Sequence, residues 1–223
     1  MGYNIAIDGP AGAGKSTIAR KVAETLSFIY VDTGAMYRAM AYYLLAQGVD
    51  GTDEKAVSEA CSGAQISIRY RDGEQRVILN GEDVTAYLRA EETGKMASLT
   101  SAYAAVREHL LMLQRTLAKD YDVVMDGRDI GTTILPGAQA KIYLTATVET
   151  RAMRRYKELI EKRQACDFEE IKKDIADRDS QDMNRKVSPL RQAEDAVYLD
   201  SSNMTIEEVK DKIIRIFREK AGQ

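Results

Sequence analysis

The feature that most constrains this chain lies near its start. A β-rich run, Tyr3 to Asp8, breaks at once into Gly9-Pro10-Ala11-Gly12-Ala13-Gly14-Lys15-Ser16, followed by Thr17. The pattern is G-x-x-x-x-G-K-[ST], set between a strand and a helix, the context that gives it chemical meaning. Glycines let the backbone curl so that several N–H groups point inward at phosphate oxygens. The helix that begins near Lys15 adds a dipole favourable to an anion. Lys15 is placed to reach β- and γ-phosphates, the Ser16 hydroxyl to ligate magnesium, and Thr17 to add a phosphate hydrogen bond. Residues Gly9, Pro10, Ala11, Gly12, Ala13, Gly14, Lys15, Ser16 and Thr17 are thus the candidate nucleoside triphosphate site. The loop does not identify an acceptor.

The rest of the chain follows the architecture that such a loop needs. Ile18, Ala19, Val22, Ala23 and Leu26 share one face at helical spacing. Residues 28–31, 121–125, 141–146 and 196–199 read as four more short strands, and helical patterns fill 35–47, 91–119 and 148–162. Strands alternating with helices predict an α/β fold, with a five-stranded parallel sheet between two helical layers, of the phosphate-loop nucleoside triphosphate hydrolase type. Residues 65–84 break this rhythm. Ile66, Ile68, Tyr70, Val77 and Leu79 alternate with polar residues around Arg71-Asp72-Gly73-Glu74 and Asn80-Gly81, which predicts antiparallel hairpins inserted outside the main sheet. The last helix is announced by a capping box, Thr205 with Glu208, by a stripe of Ile206, Val209, Ile213, Ile216 and Phe217, and by Gly222 just past its end.

Composition removes several classes. A net charge of −3 gives no basic surplus for duplex nucleic acid. No basic run precedes an apolar stretch at the start, and no apolar run approaches the roughly 18 residues of a membrane span, so a cytoplasmic protein is expected. Cys61 and Cys166 stand far apart and read as buried free thiols. The single histidine, His109, excludes histidine triads and multi-histidine metal sites, and reads as structural. No unexplained apolar stripe forces a dimer, so a monomer is expected.

Three classes of phosphate-loop protein remain: a kinase of a small acceptor, a GTPase-like switch and an ATPase motor. The chain lacks the N-K-x-D element of guanine-specific switches. Its third strand ends Val-Val-Met-Asp126-Gly127, without the adjacent glutamate that activates water in motors. A kinase must exclude water and hold a second anion, which calls for extra arginines on mobile elements. Thr33 and Arg38 follow the second strand, and Arg128 and Asp129 the third, at the sheet edge where ligands bind in such folds. Arg151, Arg154 and Arg155 share one helix face, as do Arg178, Asp182 and Arg185 by spacing. Plainer alternatives stand beside these readings. The arginine runs also suit a solvated face or weak surface ion pairs, Thr33 suits a helix cap, and Ser98 and Arg107 suit an ordinary helix surface.

In order along nearly the whole chain, IAIDGPAGAGKST, DTGAMYR, ILNGEDVT, MASLTSAYAAVRE, DGRDIGT, KIYLTA, RAMRR, RDSQDMNRKVSPL and the late LDSS resemble the blocks of the bacterial cytidylate kinases. The β insertion sets that family apart from other nucleoside monophosphate kinases, and DGRDIGT with RDxxDxNR is specific to it. The resemblance implies phosphoryl transfer from ATP to CMP or dCMP. It implies a core of residues 1–37, 101–150 and 186–223, an acceptor-binding insertion at 38–100 and a helical lid at 151–185. It places Thr33 and Arg38 at the acceptor nucleotide, and Ser98, Arg107 and Asp129 at cytosine. Arg128 falls beside the acceptor phosphate, Asp182 with Arg178 at the sugar, Arg185 near the phosphates, and Arg154 and Arg155 in the lid over ATP. The family often has serine where this chain has Thr33, and the middle of the lid matches least.

Cytosine carries an exocyclic amine where uracil carries a carbonyl. A carboxylate such as Asp129 beside that position accepts from the amine and repels the carbonyl, and a site built on hydrogen bonds discriminates strongly. The expected chemistry is in-line transfer without a covalent enzyme intermediate, driven by positioning and charge neutralisation. Lys15, Arg128, Arg154, Arg155 and Arg185 are the candidate catalytic residues. Ser16 is the candidate magnesium ligand, with Asp126 holding a water of the metal.

Overall fold

A computed structural model describes residues 2–71 and 73–222. Five parallel strands form the central sheet in the order β2-β6-β1-β7-β8: β1 Asn4–Asp8, β2 Ile29–Asp32, β6 Val123–Gly127, β7 Ala140–Thr145 and β8 Val197–Asp200. The strand that feeds the phosphate loop is central, and its apolar residues Ile5, Ala6 and Ile7 are fully buried. On one side, α1 (Lys15–Leu26) and α8 (Ile206–Ala221) bury Ile18, Val22, Val209, Ile213 and Phe217 against Ile7, Ile142 and Leu199. On the other, α2 (Thr33–Ala46) and α5 (Ala104–Asp120) bury Met36, Met40, Val106 and Leu110 against Ala6, Val31 and Met125. The three layers expected from the alternation are present.

The insertion forms a separate antiparallel sheet of β3 (Ile66–Arg71), β4 (Glu74–Leu79) and β5 (Glu82–Asp83). Asn80 and Gly81 both adopt positive φ, as an Asn-Gly hairpin turn requires. Asp72, placed by the sequence in the other turn, lies outside the described residues. The small sheet hooks onto the edge of the large one. The Gln75 amide accepts from Asp32 N at 2.8 Å and donates to Asp32 O at 3.2 Å, and the Tyr70 hydroxyl donates to Tyr30 O. Around the insertion lie α3 (Glu54–Ala60) and α4 (Glu91–Thr100), and α2 runs unbroken across the expected boundary between residues 37 and 38. Helices α6 (Val148–Glu161) and α7 (Phe168–Asn184) pack together over the carboxyl edge of the large sheet.

Several sequence expectations need correction. The helix expected over 91–119 is two helices, broken at 101–103. Thr100 and Ser101 donate their hydroxyls back to Met96 O and Ser98 O, and such side chains compete with the helical backbone. The strand expected over 121–125 begins and ends two residues later, because Tyr121 is exposed whereas Asp126 and Gly127 pair within the sheet. Arg185 does not continue the α7 face. The helix ends at Asn184 and Arg185 is extended, at φ −63° and ψ 145°. Ile206 is exposed rather than part of the buried stripe. Cys61 is buried, but Cys166 is only half-buried. The capping box and the left-handed Gly222 of α8 are as expected, and His109 serves structure through its Nε2 contact with Ala64 O.

Candidate active site

The site gathers where β1, β2 and β6 end, each strand bringing an aspartate: Asp8, Asp32 and Asp126. Gly12 and Gly14 of the phosphate loop hold φ at +74° and +85°, which L side chains rarely adopt. Gly14 precedes α1, and no side chain caps that helix and no acid occupies its first turn. Its leading N–H groups are therefore left for an incoming anion. Lys15 is buried and donates to Pro10 O at 2.8 Å. Burial and the neighbouring Arg128 guanidinium push its ammonium down to about 7. A polyphosphate would restore the charge, because opposite charge favours the ionised form. Ser16 and Thr17 are exposed at the mouth of the loop.

Helix α6 lies against this loop. Arg151 donates to Ala11 O, to Ala146 O and to Asp179, at 2.8, 2.9 and 2.6 Å. Arg154 donates to Ser201 O at 2.8 Å, with its other terminal nitrogen 3.5 Å from Ala13 O. Arg155 is on the outside, paired with Glu158 of its own helix.

Beside the loop, Asp126 accepts from the Ser16 hydroxyl at 3.0 Å and from the Tyr30 hydroxyl at 2.9 Å. Burial, reinforced by the negative charge of Asp32, raises its carboxyl to about 6. These are hard oxygen donors that suit magnesium, which takes one or two protein oxygens and fills its shell with water and substrate phosphate. Among the described residues no group of three or more His, Cys, Asp or Glu forms a self-sufficient metal cage.

On the acceptor side, five side chains from three stretches of chain form one ion-pair network. Arg107 of α5 bonds Asp129, which also faces Arg185 at 3.5 Å. Arg185 lies 3.7 Å from Asp182, and Asp182 accepts from Arg128 Nε at 2.7 Å. Burial and repulsion from Arg107 hold the Arg185 guanidinium below its ordinary value. The Arg107 guanidinium also stands 5.4 Å from the centre of the Tyr37 ring. Within the network three arginines face two carboxylates, and Asp126 and Asp179 also act on Arg128. Arg38 adds a second feature. It pairs with Asp32 at 3.2 Å, while its buried Nε has no hydrogen-bond partner among the described residues. An unmet buried donor is costly, and an anion bound here would satisfy it.

The other expected residues are placed differently. Thr33 does not cap α2. Asp32 does, accepting from Ala35 N, while the buried Thr33 hydroxyl donates to Asp126 O at 2.7 Å. The difference arises because the helix starts one residue earlier than a Thr33 cap requires. Ser98 lies on α4, its hydroxyl 3.4 Å from the side-chain Oε1 of Gln181 on α7. Arg178 stands exposed on α7, outside the network. Sequence reasoning missed Asp8, Tyr30, Asp32, Tyr37 and Asp179. Only the two strand-ending acids, Asp8 and Asp32, left a signal, each a charge closing an apolar run. The Asp8 carboxylate accepts from Ile130 N and Gly131 N, both at 2.7 Å, and burial raises it to about 6.

Comparison with known proteins places the chain among its relatives. A family model described as cytidylate kinase matches residues 5–219. The chain is 49% identical over 218 residues to a cytidylate kinase of Geobacillus sp. (strain WCH70), covering 98% of this chain and 97% of that protein. It is 46% identical over 222 residues to a cytidylate kinase of Shouchella clausii (strain KSM-K16), covering 100% and 99%. Among solved structures, an uncharacterized protein from Eubacterium ventriosum ATCC 27560 aligns over 96% of this chain and 98% of its own. The TM-score is 0.53 and the identity 11%, a likeness of fold alone.

Proposed function

The chain belongs to the cytidylate kinase family, and on that premise we propose that it transfers the γ-phosphoryl group of ATP to CMP and dCMP. The observation that carries the reading is the buried arginine–aspartate network Arg107–Asp129–Arg185–Asp182–Arg128, set beside Lys15 at the end of the same sheet.

An oxygen of the acceptor phosphate attacks the γ-phosphorus. The bond from γ-phosphorus to the β–γ bridging oxygen breaks, and ADP leaves with that electron pair. The acceptor dianion is already a nucleophile, so the site needs no strong general base. Its work is positioning and neutralisation of charge on the transferring group. Gly9 to Thr17 hold the triphosphate, with Lys15 on the β- and γ-oxygens. Arg38 and Arg128 take the acceptor phosphate, the buried free Nε of Arg38 supporting that role. Arg185 spans the two phosphates, and Asp182, with Arg178 on the same helix, reads the sugar. Ser98, Arg107 and Asp129 read cytosine, where a carboxylate accepts from the exocyclic amine and rejects a carbonyl. Magnesium, when bound, would be held by Ser16, with Asp126 placed to hold a water of the metal, and would supply neutralisation of phosphate charge. Arg154 and Arg155 belong to the lid, residues 151–185, which closes over ATP. We read the protein as a monomer of the cytoplasm, free of membrane and nucleic acid. Among the described residues no helix is long and apolar enough to cross a membrane, and both cysteines are free thiols.

The test is ADP release from ATP and magnesium with CMP, dCMP, UMP, AMP or no acceptor. Fast release with CMP and dCMP alone supports the reading. Comparable rates with UMP keep the kinase and overturn the account of base selection. Release without acceptor, or none at all, overturns the kinase.

A further inference from the structure

Asp129 stands immediately before a single turn of π-helix, Ile130–Ile134, and its carbonyl accepts from Thr133 N and Ile134 N at 2.9 and 3.1 Å. That is the place of a capping residue, and aspartate is among the favoured residues there. Yet its side chain makes no cap bond, because the carboxylate is turned to Arg107 and Arg185. The leading amides of the turn still need an acceptor, since Ile130 and Gly131 are buried and buried N–H groups are almost always paired. Asp8 supplies it from the neighbouring strand, giving one carboxylate oxygen to each amide at 2.7 Å.

We propose that Asp8 is a positioning residue for the acceptor half of the site: it caps the 130–134 turn in place of Asp129, and so frees Asp129 to recognise the acceptor base. The clamp also joins two functions in space. Asp8 is the residue before Gly9, where the phosphate loop begins, and the amides it holds follow Arg128 and Asp129 directly. The inference rests on the kinase reading above.

The test uses the full chain with Asp8→Asn. Asparagine keeps one acceptor oxygen but sets its own N–H donors against the second amide. Removing a charge-assisted bond at a buried site corresponds to about a tenfold to hundredfold change in affinity. The expected result is a rise of that size in KM for CMP, an unchanged KM for ATP, weaker rejection of UMP, and faster hydrogen exchange at Ile130 and Gly131. A purely structural role would lower the active fraction, which reduces apparent kcat and leaves both KM values in place, and that outcome overturns the proposal. So does an unchanged KM for CMP in a variant whose exchange at those amides has quickened. Should Asp8→Asn fail to fold, Gly131→Ala loosens the same clamp, because its Cβ would stand 3.3 Å from Asp8 Oδ2 and 3.2 Å from Lys141 Cδ. It is expected to act in the same direction, and a KM for CMP left unchanged there overturns the proposal equally. If the wild-type chain does not phosphorylate CMP, the kinase reading fails, while the exchange comparison still reports separately on the clamp.

Discussion

The two halves of the site are built on opposite principles. The donor half is one contiguous stretch, Gly9 to Thr17, whose binding groups are mostly backbone amides shaped by glycine and a helix start. The acceptor half is made of side chains from α5, the end of β6 and the end of α7, which hold one another through alternating charges. A backbone cradle tolerates a change in one side chain without losing its shape. A network of buried charges does not, because removing one member leaves its partners unpaired in a poorly solvated place. Loss of a donor-side group should therefore read out as lost rate, and loss of an acceptor-side group as lost rate, affinity and stability together.

Lys15→Met is expected to show the largest effect on turnover and the least on the fold. Among the described residues its side chain bonds only Pro10 O, and its charge is held down by burial. Steady-state kinetics should show kcat reduced by about a hundredfold to a thousandfold or more, as for other groups that meet developing charge, with the melting temperature near that of the parent. Near-normal turnover would break the assignment of the loop.

Asp129→Ala should behave in the contrary way. It removes the carboxylate that Arg107 bonds and Arg185 faces, leaving Arg107 with Ser101 O and Arg185 with Asp182 and Ser188 O. Unfolding in urea should therefore register a loss of about 3 kcal/mol, the low end of the cost of breaking a buried ion pair from one side. The KM for CMP should rise in parallel. A stable variant with normal CMP affinity would show that the network is decoration.

The clamp by Asp8 allows a finer cut by pH. Burial lifts this carboxyl from 3.8 to about 6. The clamp is at full strength above that value and weakens as the carboxylate protonates below it. The difference in KM for CMP between wild type and Asp8→Asn should therefore shrink as pH falls through about 6, the titration of CMP itself being common to both. The raised value also means that the folded chain keeps a proton which the unfolded chain releases from pH 3.8 upward. This contribution to stability is present below that range and is lost as pH rises through about 6. A difference in KM that is flat with pH would exclude carboxylate capping as its source.

The smallest effect on stability is expected at Arg155. Its exposed pair with Glu158 is of the kind that contributes little, so Arg155→Ala should leave stability within about 0.5 kcal/mol. Arg154→Ala, which cuts the bonds to Ser201 and Ala13, should cost more. If Arg155→Ala nevertheless lowers kcat tenfold or more, the arginine swings onto ATP when the lid closes. Hydrogen exchange across residues 151–185, slower with both nucleotides than with neither, would report the same closure, and equal protection would argue against it.

The fold was legible because hydrophobic period and glycine chemistry are local. The strand before the loop, the Asn-Gly hairpin and the Thr205–Glu208 cap each follow from a few neighbouring residues, and each stands where the chain placed it. The errors arose where hydroxyls compete with the backbone, as at Thr100 and Ser101, or where a helix ends against tertiary partners, as at Arg185.

For the site, the sequence by itself determined the phosphate loop, since a cradle of backbone amides is written in contiguous residues. It also marked Arg38, Asp126, Arg128 and Asp129 near the strand ends as candidates, and passed over Asp8 and Asp32. Only the tertiary structure decided how those charges pair. It brought Arg107 to Asp129 across 22 positions, Arg128 to Asp182 across 54 and Asp8 to the 130–134 turn across 122 and 123. It left Arg178 and Arg155 outside, because Coulomb and hydrogen-bond energies depend on distance and burial in space and carry no imprint in the spacing of residues along a chain.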